Sequence, residues 1–234
     1  FADKVVCVSP TWGHGLAEIG NRTIDYISNG FDEEDIHEEL NVPLDKEFSI
    51  VHIGMMGKSR NHEVFWEATR ELRDEDAGLR EDLVIKLYGK LDPSVYDSVK
   101  KNNLDACVEF HDYIPHDQIV YVQKAARVLY LSVNETANAL GILTGKIYEY
   151  LAVKRPILCI GPEEGEAAKV VKEAQAGVVS GFHDKEKLKA NIKELYEGYK
   201  SNIPFTGGAG IEKFSRKKQT EMLAQLLNKL VKGN

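Results

Sequence analysis

The chain has 234 residues, 43% of them apolar and 29% charged, an ordinary globular composition that excludes a disordered or fibrous protein. Its 37 acidic and 30 basic side chains give a formal net charge of −7, which argues against a nucleic-acid partner, because binding along a phosphate backbone needs a basic face. No apolar run approaches the ~18 residues that cross a bilayer, and no signal-peptide pattern opens the chain, so the expected location is cytoplasmic, at most peripheral on the inner membrane face.

Phe1-Ala2-Asp3 lacks an initiator Met and reads as the start of a fragment or a processed product. Residues 1–40 hold two strand candidates, Lys4–Val8 and Thr23–Ser28, then an Asn29-Gly30 turn and an acidic segment, Asp32–Glu39. His14, between Gly13 and Gly15, reads as a flexible-loop histidine. From Phe48 the pattern becomes regular. Strand candidates Phe48–Gly54, Leu83–Tyr88, Cys107–Phe110, Val128–Val133, Ile157–Ile160 and Gly177–Ser180 are continuous apolar runs, as in a parallel sheet covered on both faces. Between and after them lie helix candidates His62–Leu72, Pro93–Asn102, His116–Ala126, Lys146–Val153, Gly165–Ala176 and Lys185–Tyr199. Asn61 is placed to cap the first of these and Asp184 the last. This alternation predicts an α/β fold, a doubly wound, Rossmann-like parallel sheet. Residues 202–210 read as a loop. The helix after them, with Leu223, Leu226, Leu227, Leu230 and Val231 on one stripe, reads as a strap on the domain or on a neighbour.

Cys7, Cys107 and Cys159 lie far apart in apolar runs and read as buried thiols of a reducing compartment. The glycosylation patterns at Asn21 and Asn134 carry no weight without a secretory signal.

In a doubly wound sheet of order 3-2-1-4-5-6 the first and fourth strands are neighbours, and ligands bind beyond their carboxyl ends. Counted from Phe48, the first strand ends in Gly54-Met55-Met56-Gly57-Lys58-Ser59-Arg60-Asn61, and the fourth in Ser132 and the loop to Leu143. The two most glycine-punctuated loops therefore share one crevice. Gly54 and Gly57 let backbone approach a ligand, while Lys58 and Arg60 supply charge, Arg60 as a fork suited to phosphate. The second loop runs into a helix opened by Thr144-Gly145-Lys146, whose first amides and positive dipole end form an anion site. Glu149, one turn on, is set to accept two vicinal hydroxyls of a sugar, or simply to pair with Lys146. A solvated surface turn is the plainer reading of Lys58 and Arg60 taken alone. There is neither a Walker sequence nor G-x-G-x-x-G, which counts against ATP hydrolysis and dinucleotide binding.

Two other clusters invite a metal reading. Asp74-Glu75-Asp76 has D-x-D spacing but ends a helix rather than a strand, as a solvated face does. His111 and His116 flank Asp112 and Asp117 with no third His or Cys nearby in sequence, so no metal site is expected.

Several ordered pieces resemble the retaining glycosyltransferases of family four. These are Ala2–Ser9, Ile27-Ser28-Asn29-Gly30-Phe31-Asp32, His52-Ile53-Gly54 with Arg60-Asn61, Val108–Pro115, and Lys146–Ala152 before Pro156. The resemblance implies a two-Rossmann (GT-B) enzyme that transfers sugar from a nucleotide-sugar donor, UDP- or GDP-linked, to a glycan or lipid-linked acceptor. Retention, and no obligatory metal or other cofactor, go with it. It further implies that residues 1–40 are a remnant of the acceptor domain and hinge, 41–205 the donor-binding domain, and 206–234 a crossover helix. Carried over by position, Glu149 holds the ribose hydroxyls. Arg60, with Lys58, meets the diphosphate. The loop amides of Gly141, Ile142, Thr144 and Gly145 approach phosphate or sugar, and the backbone at Tyr113 and Ile114 frames the base. Arg60 and Lys146 become the catalytic cations, stabilising charge on the leaving diphosphate.

The chain departs from the family pattern at two positions. Gly141 stands where a glutamate is usual, eight residues before Glu149, and Met55 stands where an arginine usually follows the strand-end glycine. Glu135 is the nearest acid able to substitute. A non-catalytic nucleotide-sugar-binding or assembly module is one alternative, and a UDP-sugar 2-epimerase-like enzyme another. A fragment carrying the edge strands of an absent domain is also expected to self-associate through residues 1–30, or to fold them onto its own surface.

Overall fold

The computed structural model describes residues 2–36 and 41–232. In chain order the elements are β1 (Val6–Cys7), α1 (Pro10–Gly20), β2 (Asp25–Tyr26), β3 (Phe48–Ile53), α2 (Glu63–Glu75), α3 (Ala77–Asp82), β4 (Leu83–Tyr88), α4 (Pro93–Lys101), β5 (Val108–His111), α5 (His116–Ala125), β6 (Val128–Ser132), α6 (Gly145–Ala152), β7 (Ile157–Ile160), α7 (Glu166–Glu173), β8 (Gly177–Ser180), α8 (Lys185–Lys200) and α9 (Arg216–Lys232).

The strands from β3 onward form one parallel sheet in the order β5-β4-β3-β6-β7-β8, the doubly wound order with its reversal between β3 and β6. Alternate residues of each strand feed opposite cores. On one face Leu129 and Leu131 of β6 meet Ile147, Tyr150 and Leu151 of α6 and Val171 of α7. On the other, Val128 and Tyr130 meet Phe65, Trp66 and Leu72 of α2, with Leu188 and Ile192 of α8. Burial on both faces accounts for the unbroken apolar runs. β4, next to the edge, alternates instead, and the half-buried Lys86 pairs with Asp45 at 3.0 Å.

Several local expectations are corrected. Residues 10–20 are a helix, so His14 sits on α1 rather than in a loop. Three glycines hid it, yet its start signal is in the sequence: Ser9 accepts from the Trp12 amide, and Pro10 occupies the first turn. β1 and β2 are correspondingly only two residues each. Asn29-Gly30 makes no turn but runs extended into a bridge at Phe31, whose N–H donates to Phe214 O at 3.1 Å while Arg216 N donates to Phe31 O at 2.8 Å. Residues 37–39 of the acidic run lie outside the described residues.

Asn61 does not cap α2. Its amide donates to Ser94 and Ser98 of α4 (3.2 and 3.1 Å) and accepts from Trp66 Nε1 at 2.6 Å, stapling α4 to α2, while His62 takes the cap position without a capping bond. Asp184 caps α8 as expected, accepting from Lys187 N at 3.0 Å. The unexpected α3 is capped by Asp76, which explains one member of the D-x-D cluster; Asp74 and Glu75 pair with surface cations.

The α9 stripe is largely uncovered. Leu223, Leu227 and Val231 are exposed, and only Leu226 and Leu230 are partly shielded. Ile50, by contrast, is fully buried at the sheet centre. Ile50→Ala should therefore cost about 2–5 kcal/mol in urea denaturation, whereas Leu227→Ala should stay within about 0.5 kcal/mol. A large loss at Leu227 would show that α9 is packed in solution.

Candidate functional site

The crevice at the β3/β6 switch point is built by two loops tied to each other. After β3 the chain turns at Gly54, whose φ of +108° suits a residue without Cβ, and then forms a single helical turn, Lys58–Arg60. Four hydrogen bonds join this loop to the one after β6. Arg60 Nε donates to Asn134 Oδ1 at 2.8 Å, and Asn134 Nδ2 donates to Ser59 Oγ at 2.8 Å. Ser132 Oγ donates to Arg60 O at 2.6 Å, and Glu135 N to Ser59 O at 2.7 Å. The Arg60 fork also reaches Met55 O at 3.2 Å.

From the far side, Lys146 in the first turn of α6 lays its side chain across Gly54. A Cβ built there would stand 2.6 Å from Lys146 Nζ. Gly54 is thus a close-approach glycine, and the two loops meet face to face. Burial, and after it the charge of Arg60, holds the Lys146 ammonium below its usual range, with Glu149 opposing. Two cations brought together at a strand-end crevice form a site for an anion. Thr144 at the start of α6 makes no side-chain capping bond; the Ile147 amide donates to Thr144 O at 3.2 Å, and among the described residues those of Gly145 and Lys146 are left for other partners. Lys58 is exposed at the rim.

Glu149 is exposed and not ion-paired with Lys146; its Oε2 accepts from Gln123 Nε2 of α5 at 3.2 Å. It and Gly145 line a cleft of about 740 Å³ that runs between α5, α6, residues 27–36 and the first turns of α9. Tyr113 and Ile114 stand at the same end of the sheet but beyond β5, two strands from β3. Tyr113 is 80% exposed, and the residues that follow them, His116 and Asp117, line the cleft.

Gly141 and Ile142 lie at the end of a short helical turn, Ala139–Gly141. Trp12 of α1 packs on Gly141 so closely that a Cβ there would come within 2.2 Å of its ring, and Trp12 Nε1 donates to Asn138 O at 3.3 Å. Beside it Thr11 donates to the buried Glu166 of α7 at 2.6 Å. The amino-terminal segment is thus folded onto the surface of the sheet domain, while Leu16 and Ile19 of α1 remain exposed.

Sequence reasoning missed the roles of Asn134, Ser59, Gln123 and Trp12, because each is set by a partner far away in the chain. It named His52 only as part of the His52-Ile53-Gly54 piece and gave it no role. This residue is buried in β3, donates from Nδ1 to Tyr130 O at 3.2 Å, and is pushed down to about 4 by burial, then by Lys146. A histidine inside an unbroken apolar run was the available signal. His62 is likewise pushed down to about 4 by burial, with Nε2 donating to Val133 O at 2.9 Å. Glu135 is taken up by His183 at 3.0 Å. His111 stacks on Tyr88 and bonds Glu109, packing that accounts for it without a metal.

The model of the family described as Glycosyl transferases group 1 matches residues 32–204. The chain belongs to this family. Solved structures of similar fold include a glycosyltransferase from Rickettsia africae, 16% identical with a TM-score of 0.75, covering 99% of this chain and 64% of that one. Another is Anabaena Alr3699/HepE in complex with UDP and glucose, 15% identical with a TM-score of 0.76, covering 97% of this chain and 64% of that one. Sucrose-phosphate synthase from Thermosynechococcus elongatus, 18% identical, has a TM-score of 0.69 and covers 100% of this chain and 60% of that one. At these identities the likeness is one of fold, the Rossmann-like domain of GT-B glycosyltransferases. The chain spans less than two thirds of each of these proteins. Comparison with curated protein sequences gives no match. Among the described residues no helix is long and apolar enough to cross a membrane.

Two outcomes are expected. Gly141→Glu, which restores an acid at this position, should collide with Trp12 and expose the amino-terminal segment to proteolysis; Trp12→Ala in the same chain should remove most of the added melting penalty. A stable, protease-resistant Gly141→Glu protein would contradict the packing. Because His52 and His62 titrate lower when folded than unfolded, their contribution is fully present above the unfolded value near 6.5 and is lost as pH falls towards about 4. Denaturation midpoints should fall across that window, and less steeply in His52→Gln.

Proposed function

We propose that this chain is the donor-binding half of a retaining glycosyltransferase of family four, which moves a sugar from UDP or GDP to a glycan or lipid-linked acceptor. The observation that carries this reading is Lys146 crossing Gly54 beside Arg60, with Glu149 one helical turn away. Charge suited to a diphosphate and a carboxylate suited to a ribose thereby stand on the same helix, three residues apart. Support comes also from the solved folds, since HepE was crystallised with UDP-glucose, and TarM and the pneumococcal O-GlcNAc transferase GtfA with UDP.

In this reading Arg60 and Lys146 stabilise the leaving nucleoside diphosphate as the glycosidic bond breaks. They bind that developing charge more strongly than the ground state, which is the origin of the rate gain. Lys58 strengthens the field at the rim. Amides of Thr144 and Gly145 face phosphate or sugar, and Tyr113 and Ile114 frame the base; those expected at Gly141 and Ile142 are already spent on Asn138 O at 3.2 Å and Ala139 O at 3.1 Å, under Trp12. Glu149, aimed by Gln123, accepts the two ribose hydroxyls. Residues 1–40 would be the end of the acceptor domain with the hinge, and 206–234 the crossover helix. The location that goes with this reading is cytoplasmic, with the whole protein peripheral at a membrane, and Leu16 and Ile19 supply a surface for self-association.

A second reading, donor binding without transfer, is favoured by one observation: position 141 carries no acid and is covered by Trp12. The same binding with no donor hydrolysis or transfer by the complete protein would select it.

Calorimetry with UDP, GDP and their sugars tests the site. Glu149→Ala and Arg60→Ala should each weaken binding by about 1.5–3 kcal/mol, the range for hydrogen bonds to charged groups. Equal affinity in all three proteins would refute the assignment. Lys146→Met should melt above the wild type in the absence of nucleotide, since an under-solvated cation is removed, and yet bind nucleotide more weakly.

A further inference from the structure

Where the strands begin, at the opposite end of the sheet from the donor crevice, lies a second cavity of about 840 Å³. Its lining includes the starts of β3, β6, β7 and β8, and the loop after α8 forms one wall. Most of that lining is apolar, and Ile203 remains 68% exposed, so the groove opens to solvent instead of being closed into the core.

Two guanidinium groups enter this apolar groove, Arg127 just before β6 and Arg155 just before β7, on adjacent strands. Both are held in place. Arg127 Nε donates to Asp45 O at 2.7 Å and lies over the Tyr199 ring, while Arg155 Nε donates to Lys124 O at 2.9 Å. Among the described residues neither has a carboxylate at ion-pair distance, and neither donates a hydrogen bond from a terminal nitrogen. The nearby acid, Asp45, is spent on Lys86 at 3.0 Å. Among the other charged lining groups, Lys172 donates its ammonium to Glu163 O at 2.8 Å, and Glu194 is exposed. Burial, and then the charge of Arg127, push the Arg155 guanidinium below its usual value, as befits like charges held together with no counter-ion among the described residues.

Half-buried like charges are costly unless an anion completes them. Paired forks suit an oxyanion with several acceptor oxygens, and the volume falls in the range of small-molecule sites. The walls are mostly apolar, with Gln175, Asn202 and Thr206 among them, and Glu194 disfavours a polyanion. We infer that this groove binds an amphiphile with one anionic head, a phosphate monoester or carboxylate, its head on Arg127 and Arg155 and its apolar body along Leu44, Ile203 and Phe205.

The test titrates the full chain by calorimetry with n-octyl phosphate, inorganic phosphate and 1-octanol. Octyl phosphate should bind at least about 10-fold more tightly than either half-ligand, because head and body sites are both filled. Saturating UDP should not displace it, so the result is independent of the donor site. Arg155→Met should weaken it about 10-fold through loss of a charge-assisted fork. Ile203→Asp, on an exposed loop where folding is not at stake, should weaken it as well. Cosedimentation with phosphatidic acid vesicles, lost in Arg155→Met, would identify membrane lipid as the source of the amphiphile; octyl phosphate binding without vesicle binding would identify a soluble one. Equal affinity for octanol and octyl phosphate, indifference to both substitutions, or no binding in either arm would overturn the inference.

Discussion

The crossing of Lys146 over Gly54 is the contact on which the rest of the site depends. An ammonium beside a guanidinium is unfavourable without an anion, and burial makes it more so. Their positions are fixed by the sheet beneath. Parallel order brings β3 and β6 side by side, and four hydrogen bonds between their following loops fix Arg60 where Lys146 must meet it. Such an arrangement is fixed by the fold itself, at some expense to the protein's stability.

The sheet was legible because its physical signal is strong. Six apolar runs, the central three buried on both faces, separated by helices that end in turn residues, admit few arrangements. The observed order makes the first and fourth runs neighbours, as chain order and the right-handed crossover rule lead one to expect. That the loop carrying Gly54 and Arg60 and the helix carrying Lys146 share one crevice was legible for the same reason, since both follow the carboxyl ends of neighbouring strands.

What was not legible depended on partners far away in the chain. Asn61 looks like a helix cap, but its amide is worth more joining two helices than ending one. α1 was concealed by glycines whose low helix propensity is overridden by packing on Cys7 and Ile24, each 3.6 Å from where a Gly13 Cβ would be. Gly141 could be recognised as a departure from the family pattern, but only coordinates reveal that an indole from the amino-terminal segment occupies the space. Arg127 and Arg155 are 28 positions apart and become neighbours only through strand pairing.

The bridge at Phe31 and Ser215 has a mechanical consequence. It fastens the entering chain to the root of α9 by two reciprocal backbone bonds at one residue pair. Displacing the amino-terminal segment would therefore either break those two bonds or draw the root of α9 along with it, and that root also walls the cleft beside Glu149.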